Sequence, residues 1–225
     1  MLSRKIWIGI CVFLFLVVIV AFACYRSSIR GPQFYREAIQ VDSGQNTVLG
    51  EALENDFLNA HNTAIRESNW NMVISDEQLN GWIATHLAKK YARYYPRQIE
   101  NLCTSFAGNR IRIAFKVKQG WIPLVVTIQA DLFMTGDEQN IALRLEKMGT
   151  GYIPFPKKQA TERISKAMDG SDISILWTTE QGQPLGLMPV QFDLAKKTKR
   201  RIIVTHLSIQ DRKLIVAGTA ADIPE

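Results

Sequence analysis

The groups in this chain that could carry catalysis are few: three histidines, three cysteines, and the carboxylate neighbours Asp76-Glu77 and Asp137-Glu138. His61, His86 and His206 are far apart, and no H-x-x-x-H or C-x-x-C spacing brings metal ligands together, so no metal site is expected. No G-x-S-x-G elbow, G-x-x-x-x-G-K-[ST] loop or G-x-G-x-x-G fingerprint occurs, and Gly149-x-Gly151 reads as a strand-end break. Asp76-Glu77 falls in the first turn of a helical pattern, where negative charge suits the dipole. Asp137-Glu138 lies in a turn. Cys11 and Cys24 sit in an apolar segment, so the domain's lone Cys103 has no internal disulfide partner and reads as a small buried residue. The expectation is a non-enzymatic chain with no cofactor.

Binding chemistry is better represented. The formal net charge is +6, which favours anionic partners. The densest basic feature, Lys196, Lys197, Lys199, Arg200 and Arg201, reads as a solvated loop or as a contact for lipid headgroups. Nucleic acid is not expected, because no aromatic platform accompanies the run. Trp82 and Tyr91 read as core. Tyr94-Tyr95 and Trp121-Ile122-Pro123, beside turns, are placed to line an opening.

From Ile6 to Tyr25 every residue is apolar, small or aromatic, which is the length a helix needs to cross a bilayer. Trp7 and Tyr25 stand near the two ends, as interfacial rings do. Arg4 and Lys5 precede the run, and Arg26 and Arg30 follow it. Two other readings compete: a signal peptide cleaved at Ala21-Phe22-Ala23, and lipoprotein processing at Cys24. All three export the domain. The expected organisation is a transmembrane anchor over 1–25, a juxtamembrane linker over 26–44 with Gly31-Pro32, and one extracytoplasmic domain over 45–225.

Within that domain, Val48, Ala52, Leu53, Phe57, Ala60, Ala64 and Ile65 recur at helical spacing, with a polar opposite face. Trp70 to Ile74 is a short strand or extended entry. Ser75 opens a capping box with Gln78, and Leu79, Trp82, Ile83, Leu87 and Tyr91 share one face of the helix that follows, ending at Pro96. The period then changes to two. Residues 110–118 alternate Ile111, Ile113, Phe115 and Val117 against polar partners. Residues 124–132 repeat this with Leu124, Val126, Ile128, Ala130 and Leu132, and 141–147 with Leu143 and Leu145. Short turns join these strands into an antiparallel meander. Gly149 to Pro156 breaks the sheet, 157–168 is a helix, 173–178 and 190–194 are strands around an irregular 184–189, and 201–208 with 213–219 form a last hairpin. The class is α+β: a long antiparallel meander packed on or wrapped around amphipathic helices, preceded by one transmembrane helix.

The order of a membrane helix, ISDEQLNGWIATHL, a meander, the GYIPFP break, KKQATERISKAM and a final hairpin resembles the YpmS-like membrane-anchored proteins and lipoproteins with a tubular lipid-binding, TULIP-like fold. The resemblance covers roughly 70–220. It implies strands that wrap a helix and leave an apolar channel, and carries no reaction. The function expected is a membrane-tethered binding module for a lipid or other apolar ligand, with Phe115, Val117, Leu124, Val126, Ile128, Leu143 and Leu145 as the ligand face. The alternative is a structural protein that scaffolds an envelope complex through a protein partner.

Overall fold

A computed structural model of the chain describes residues 4–91, 98–119, 122–151, 153–168, 175–193 and 200–222. Tyr94-Tyr95, Trp121, and Lys196, Lys197 and Lys199 of the basic run lie outside the described residues, as does Ile173 at the start of one expected strand. In chain order come α1 (Arg4–Arg30), α2 (Gln33–Ala38), α3 (Ser43–Arg66), β1 (Asn69–Ser75), α4 (Asp76–Trp82), a π turn over Ile83–Leu87 and α5 (Ala88–Lys90). The meander follows: β2 (Ile99–Ala107), β3 (Arg110–Gln119), β4 (Ile122–Met134) and β5 (Asn140–Thr150). Then come β6 (Ile153–Pro154), α6 (Lys157–Met168), β7 (Leu176–Glu180), β8 (Gln183–Pro189), β9 (Gln191–Asp193), β10 (Arg200–Gln210) and β11 (Lys213–Asp222).

The apolar run forms α1, whose 27 residues extend about 40 Å at 1.5 Å per residue. It is one helix long and apolar enough to span a membrane, and its flank from Phe13 to Val20 is exposed. Residues 26–44, expected as a linker, instead hold the end of α1, the whole of α2 and the start of α3. This segment crosses one face of the large sheet strand by strand. Buried Ser28 donates its hydroxyl to the Thr150 carbonyl of β5 at 3.1 Å. Gly31, at φ +66°, lies so close to Val125 of β4 that a Cβ would meet its Cγ1 at 2.9 Å. Tyr35 then packs against Ala114 of β3 and Cys103 of β2. The apolar side chains Phe34, Tyr35 and Ala38 drive this docking by leaving water against the sheet.

Two antiparallel sheets carry the fold. The small one runs β1-β11-β10-β9; the large one runs β2-β3-β4-β5-β8-β7, with β6 paired to the edge of β5. The consecutive antiparallel pairing from β2 to β5 is the expected meander, one strand longer than the periodicity indicated. Residues 184–189, expected as irregular, form most of β8 and extend the sheet beyond β5. A bulge in β5 sets the large sheet's apolar face. Gln129 pairs with Lys147 but Ala130 pairs with Leu145, so Glu146 is the extra residue. Leu145 and Met148 therefore both land on the face of Val126 and Ile128.

The helices of the other layer meet at two glycines. A Cβ on Gly81 of α4 would lie 2.7 Å from the Asn46 carbonyl oxygen of α3, and one on Gly50 would press the Gly81 carbonyl at 3.2 Å. Leu53 and Ala64 are fully buried, whereas Val48 and Phe57 are turned outward. The capping box forms as expected: Gln78 N–H donates to Ser75 Oγ, and Ser75 N–H donates to Gln78 Oε1, both at 3.1 Å.

Candidate functional site

The register places Ile113, Phe115 and Val117 of β3 opposite Ile128, Val126 and Leu124 of β4, with Met148 and Leu145 of β5 continuing the same face. The expected ligand residues are thus gathered on one surface, but its two halves differ. Around Ile141, the face is closed by the small sheet: Ile141, Val190 and Val204 form a buried cluster against which Leu132, Met134, Ile203 and Leu207 pack. Toward the other end, Val126, Leu145 and Met148 are buried, while Phe115, Val117 and Ile128 are only partly covered and Phe155 packs against them. Leu124 and Leu143 are half-buried. Periodicity alone missed Met148, because the bulge resets the alternation. It also missed Phe155, which leaves β6 with its N–H bonded to the Met148 carbonyl at 2.8 Å.

The described part of the basic run is tied into the fold. Arg200 is 19% exposed; it pairs with Asp222 at 3.0 Å and donates to the Ala64 carbonyl at 2.9 Å and to that of Ile65. Cations suit the end of a helix, so Arg200 closes α3 rather than reaching outward. Arg201 donates to Gln191 Oε1 at 3.3 Å.

Of the clefts on the described surface, four of the best formed are not lined by any of the seven expected ligand residues. The first, about 820 Å³, runs along α3 and β1 past Asn59, Asn71 and Thr219. A second, about 660 Å³, lies between α2, α4 and the β10–β11 turn. In it Arg212 Nε lies 3.0 Å from Asp76 Oδ2, and the Asp76 carboxylate raises the Arg212 pKa by hydrogen bond and charge. Asp211 and Arg212 take φ +48° and +63°, a costly backbone for non-glycines, and the ion pair helps to hold it. Arg112 stacks its guanidinium 4.8 Å over the Phe34 ring and donates to Ser105 Oγ at 2.9 Å. These contacts pin the chain leaving α1 to the turns around it. A third cleft, about 600 Å³, is open beside Arg110, Asp131 and Arg144. The fourth, about 410 Å³, lies along β5 and β6 and is lined by Thr127, Gln129, Lys147, Gly151 and Lys157.

Among the described residues no group of three or more His, Cys, Asp or Glu could hold a metal ion. Cys103 is buried, and burial pushes its thiol up to about 12, leaving little nucleophilic thiolate at neutral pH. His86 stacks on Trp82 at 6.5 Å and lies 3.8 Å from Glu54, which also accepts from Trp82 Nε1 at 3.0 Å and from Lys90. The π turn that presents His86 thereby fastens α4 and α5 to α3. Comparison with protein-family models, curated proteins and solved structures returns no match for this chain.

Proposed function

We propose that the chain is a single-pass, membrane-tethered binding module without a reaction of its own, displayed on the extracytoplasmic side. Its ligand is a lipid acyl chain or another apolar molecule, held on the open half of the large sheet. The observation that carries this reading is position. The partly covered residues Phe115, Val117 and Ile128 belong to the strand ends where β5 meets the last turn of α1, through Ser28 and Thr150. The segment after α1 packs on the opposite, Val125 face, so hydrocarbon leaving the bilayer beside α1 would reach that surface around the strand ends. Apolar area of this kind is stabilised when covered, at roughly 25 cal/mol per Å² removed from water. The resemblance to the YpmS-like and tubular lipid-binding proteins, with strands wrapped on amphipathic helices, points the same way. Native mass spectrometry of the full chain, released from mild detergent and followed by lipid extraction, tests the reading. A stoichiometric bound lipid is expected. A bare chain that also takes up neither added fatty acid nor phospholipid overturns it.

A second reading, a tethered scaffold for an envelope complex, is favoured by α3. Its Val48, Phe57 and Leu58 are each more than half exposed, an unusual placement for large apolar side chains on one helix. Substituting Phe57 and Leu58 by Ser would leave lipid binding intact and abolish cross-linking to a partner if that reading holds.

A further inference from the structure

We infer that the groove of about 410 Å³ along β5 and β6 is a binding site for the anionic headgroup of a phospholipid in the bilayer that holds α1. This rests on the reading of α1 as a membrane span. The groove is fixed in height by α1 itself. Gly151, at φ +57°, faces the backbone of α1 so closely that a Cβ would meet Ser28 N at 2.6 Å, and neighbouring Thr150 accepts the Ser28 hydroxyl. Ser28 stands one helical turn beyond Cys24 and Tyr25, where the apolar run ends, a rise of about 5 Å. The polar zone on each side of a bilayer is about 5–7 Å deep, so the groove opens at headgroup level.

Its lining suits a phosphate. Lys147 and Gln129 have no hydrogen-bond or ion-pair partner for their side chains among the described residues, and Lys157 makes a single bond, to Gln183 Oε1 at 3.1 Å. Two ammonium groups and an amide can thus donate to phosphate oxygens, against one lining carboxylate, Glu146. Gly149 lets β6 close that wall, since a Cβ there would meet the Ile153 carbonyl oxygen at 2.4 Å. On the rim, Ile153 is 49% exposed and Pro154 is also exposed, an apolar lip beside a cationic floor. The surrounding field has the same sign: Arg26 and Arg30 on α1, Lys116 and Lys118 at the end of β3, and Lys158 on α6, partly offset by Glu100. At the opposite ends of β4 and β5 the charge reverses, with Asp137 and Glu138 in their turn. Anionic lipid is therefore drawn to the end of the sheet that α1 already anchors.

The test places the full chain in nanodiscs of phosphatidylcholine doped with phosphatidylglycerol and counts, by native mass spectrometry, which lipid stays bound on release. Wild type is expected to retain phosphatidylglycerol selectively. Lys147→Gln and Lys157→Gln should each lower that preference by about fivefold, whereas Lys147→Arg and Lys157→Arg should keep it. An unchanged preference in the doubly Gln-substituted chain overturns the inference. So does displacement of the lipid by millimolar inorganic phosphate, which would make the groove a site for soluble anions. Carbonate extraction separates the two failures. A chain stripped from membranes ends the anchor reading, whereas a retained chain without lipid preference ends only this one.

Discussion

The two halves of the large sheet's apolar face are built from the same alternation yet meet different fates. Near Leu132, Met134 and Ile141 the face lies under β9 and β10, where Val190 and Val204 complete a dry core. Near Phe115, Val117 and Ile128 the cover is Phe155, one aromatic ring from a short Pro-Phe-Pro turn, and the side chains stay partly exposed. The difference teaches that a strand's inward periodicity specifies a face but not its cover. Cover is decided by elements remote in sequence: β10 for the closed half, and the turn after β5 for the open one.

The sharpest way to break the comparison is to truncate both halves. Ile141, buried in the closed half, should lose about 2–5 kcal/mol of stability as Ile141→Ala, because the cavity left behind cannot collapse. Ile128→Ala in the open half should lose about 1 kcal/mol, since part of that side chain is already wet. Urea unfolding of the full chain in nanodiscs measures both, and equal losses would erase the distinction.

The other layer provides the next contrast. Gly81→Ala forces a Cβ against the Asn46 carbonyl and should cost about 1–3 kcal/mol through displacement of α3 from α4, while leaving lipid retention unchanged. A loss of bound lipid in this variant would show that the two layers are coupled. Ser28→Ala removes one buried hydroxyl, whose single proton is shared between the Cys24 carbonyl of α1 at 2.9 Å and the Thr150 carbonyl of β5 at 3.1 Å, and should cost about 1 kcal/mol. Its larger signature should be motion, seen as narrower spectra from a spin label at exposed Thr179 measured against one on α1.

At neutral pH the last effect is silent, and it appears only in alkali. Burial raises the Cys103 thiol from 9.0 to about 12, so the protonated form is favoured by folding. That contribution is fully present below pH 9 and is lost as pH rises toward 12. Buried Tyr35, raised chiefly by its own burial, acts in the same direction. Stability should fall across this window in wild type and fall less in Cys103→Ala.

How far the sequence foretold this arrangement depends on how local each signal is. The capping box at Ser75 and the alternation of 110–118 and 124–132 are short-range, and all appear where expected. Strand β2 escaped notice because Asn101 takes φ +51° and its register to β3 shifts between Glu100 and Cys103, which breaks a period of two. The docked segment 26–44 was unreadable for another reason: Ser28, Gly31 and Tyr35 gain their meaning only from Thr150, Val125 and Cys103, each more than sixty residues away. Along α3, an apolar count credits Val48 and Phe57 and overlooks Gly50, the residue that sets the closest helix approach. Lys147 and Lys157 look like ordinary solvated cations until β5 and β6 bring them to one groove beside α1. The basic run drew attention by density alone, yet Arg200 serves the end of α3.

The most direct measurement is photocrosslinking from two positions on the one face. A benzophenone amino acid replaces Ile128 in one chain and Leu132 in another, and both are irradiated in lipid nanodiscs before mass spectrometry. The account predicts lipid adducts from position 128 and only intramolecular products from position 132. Equal lipid labelling at both positions, or none at 128, would contradict it.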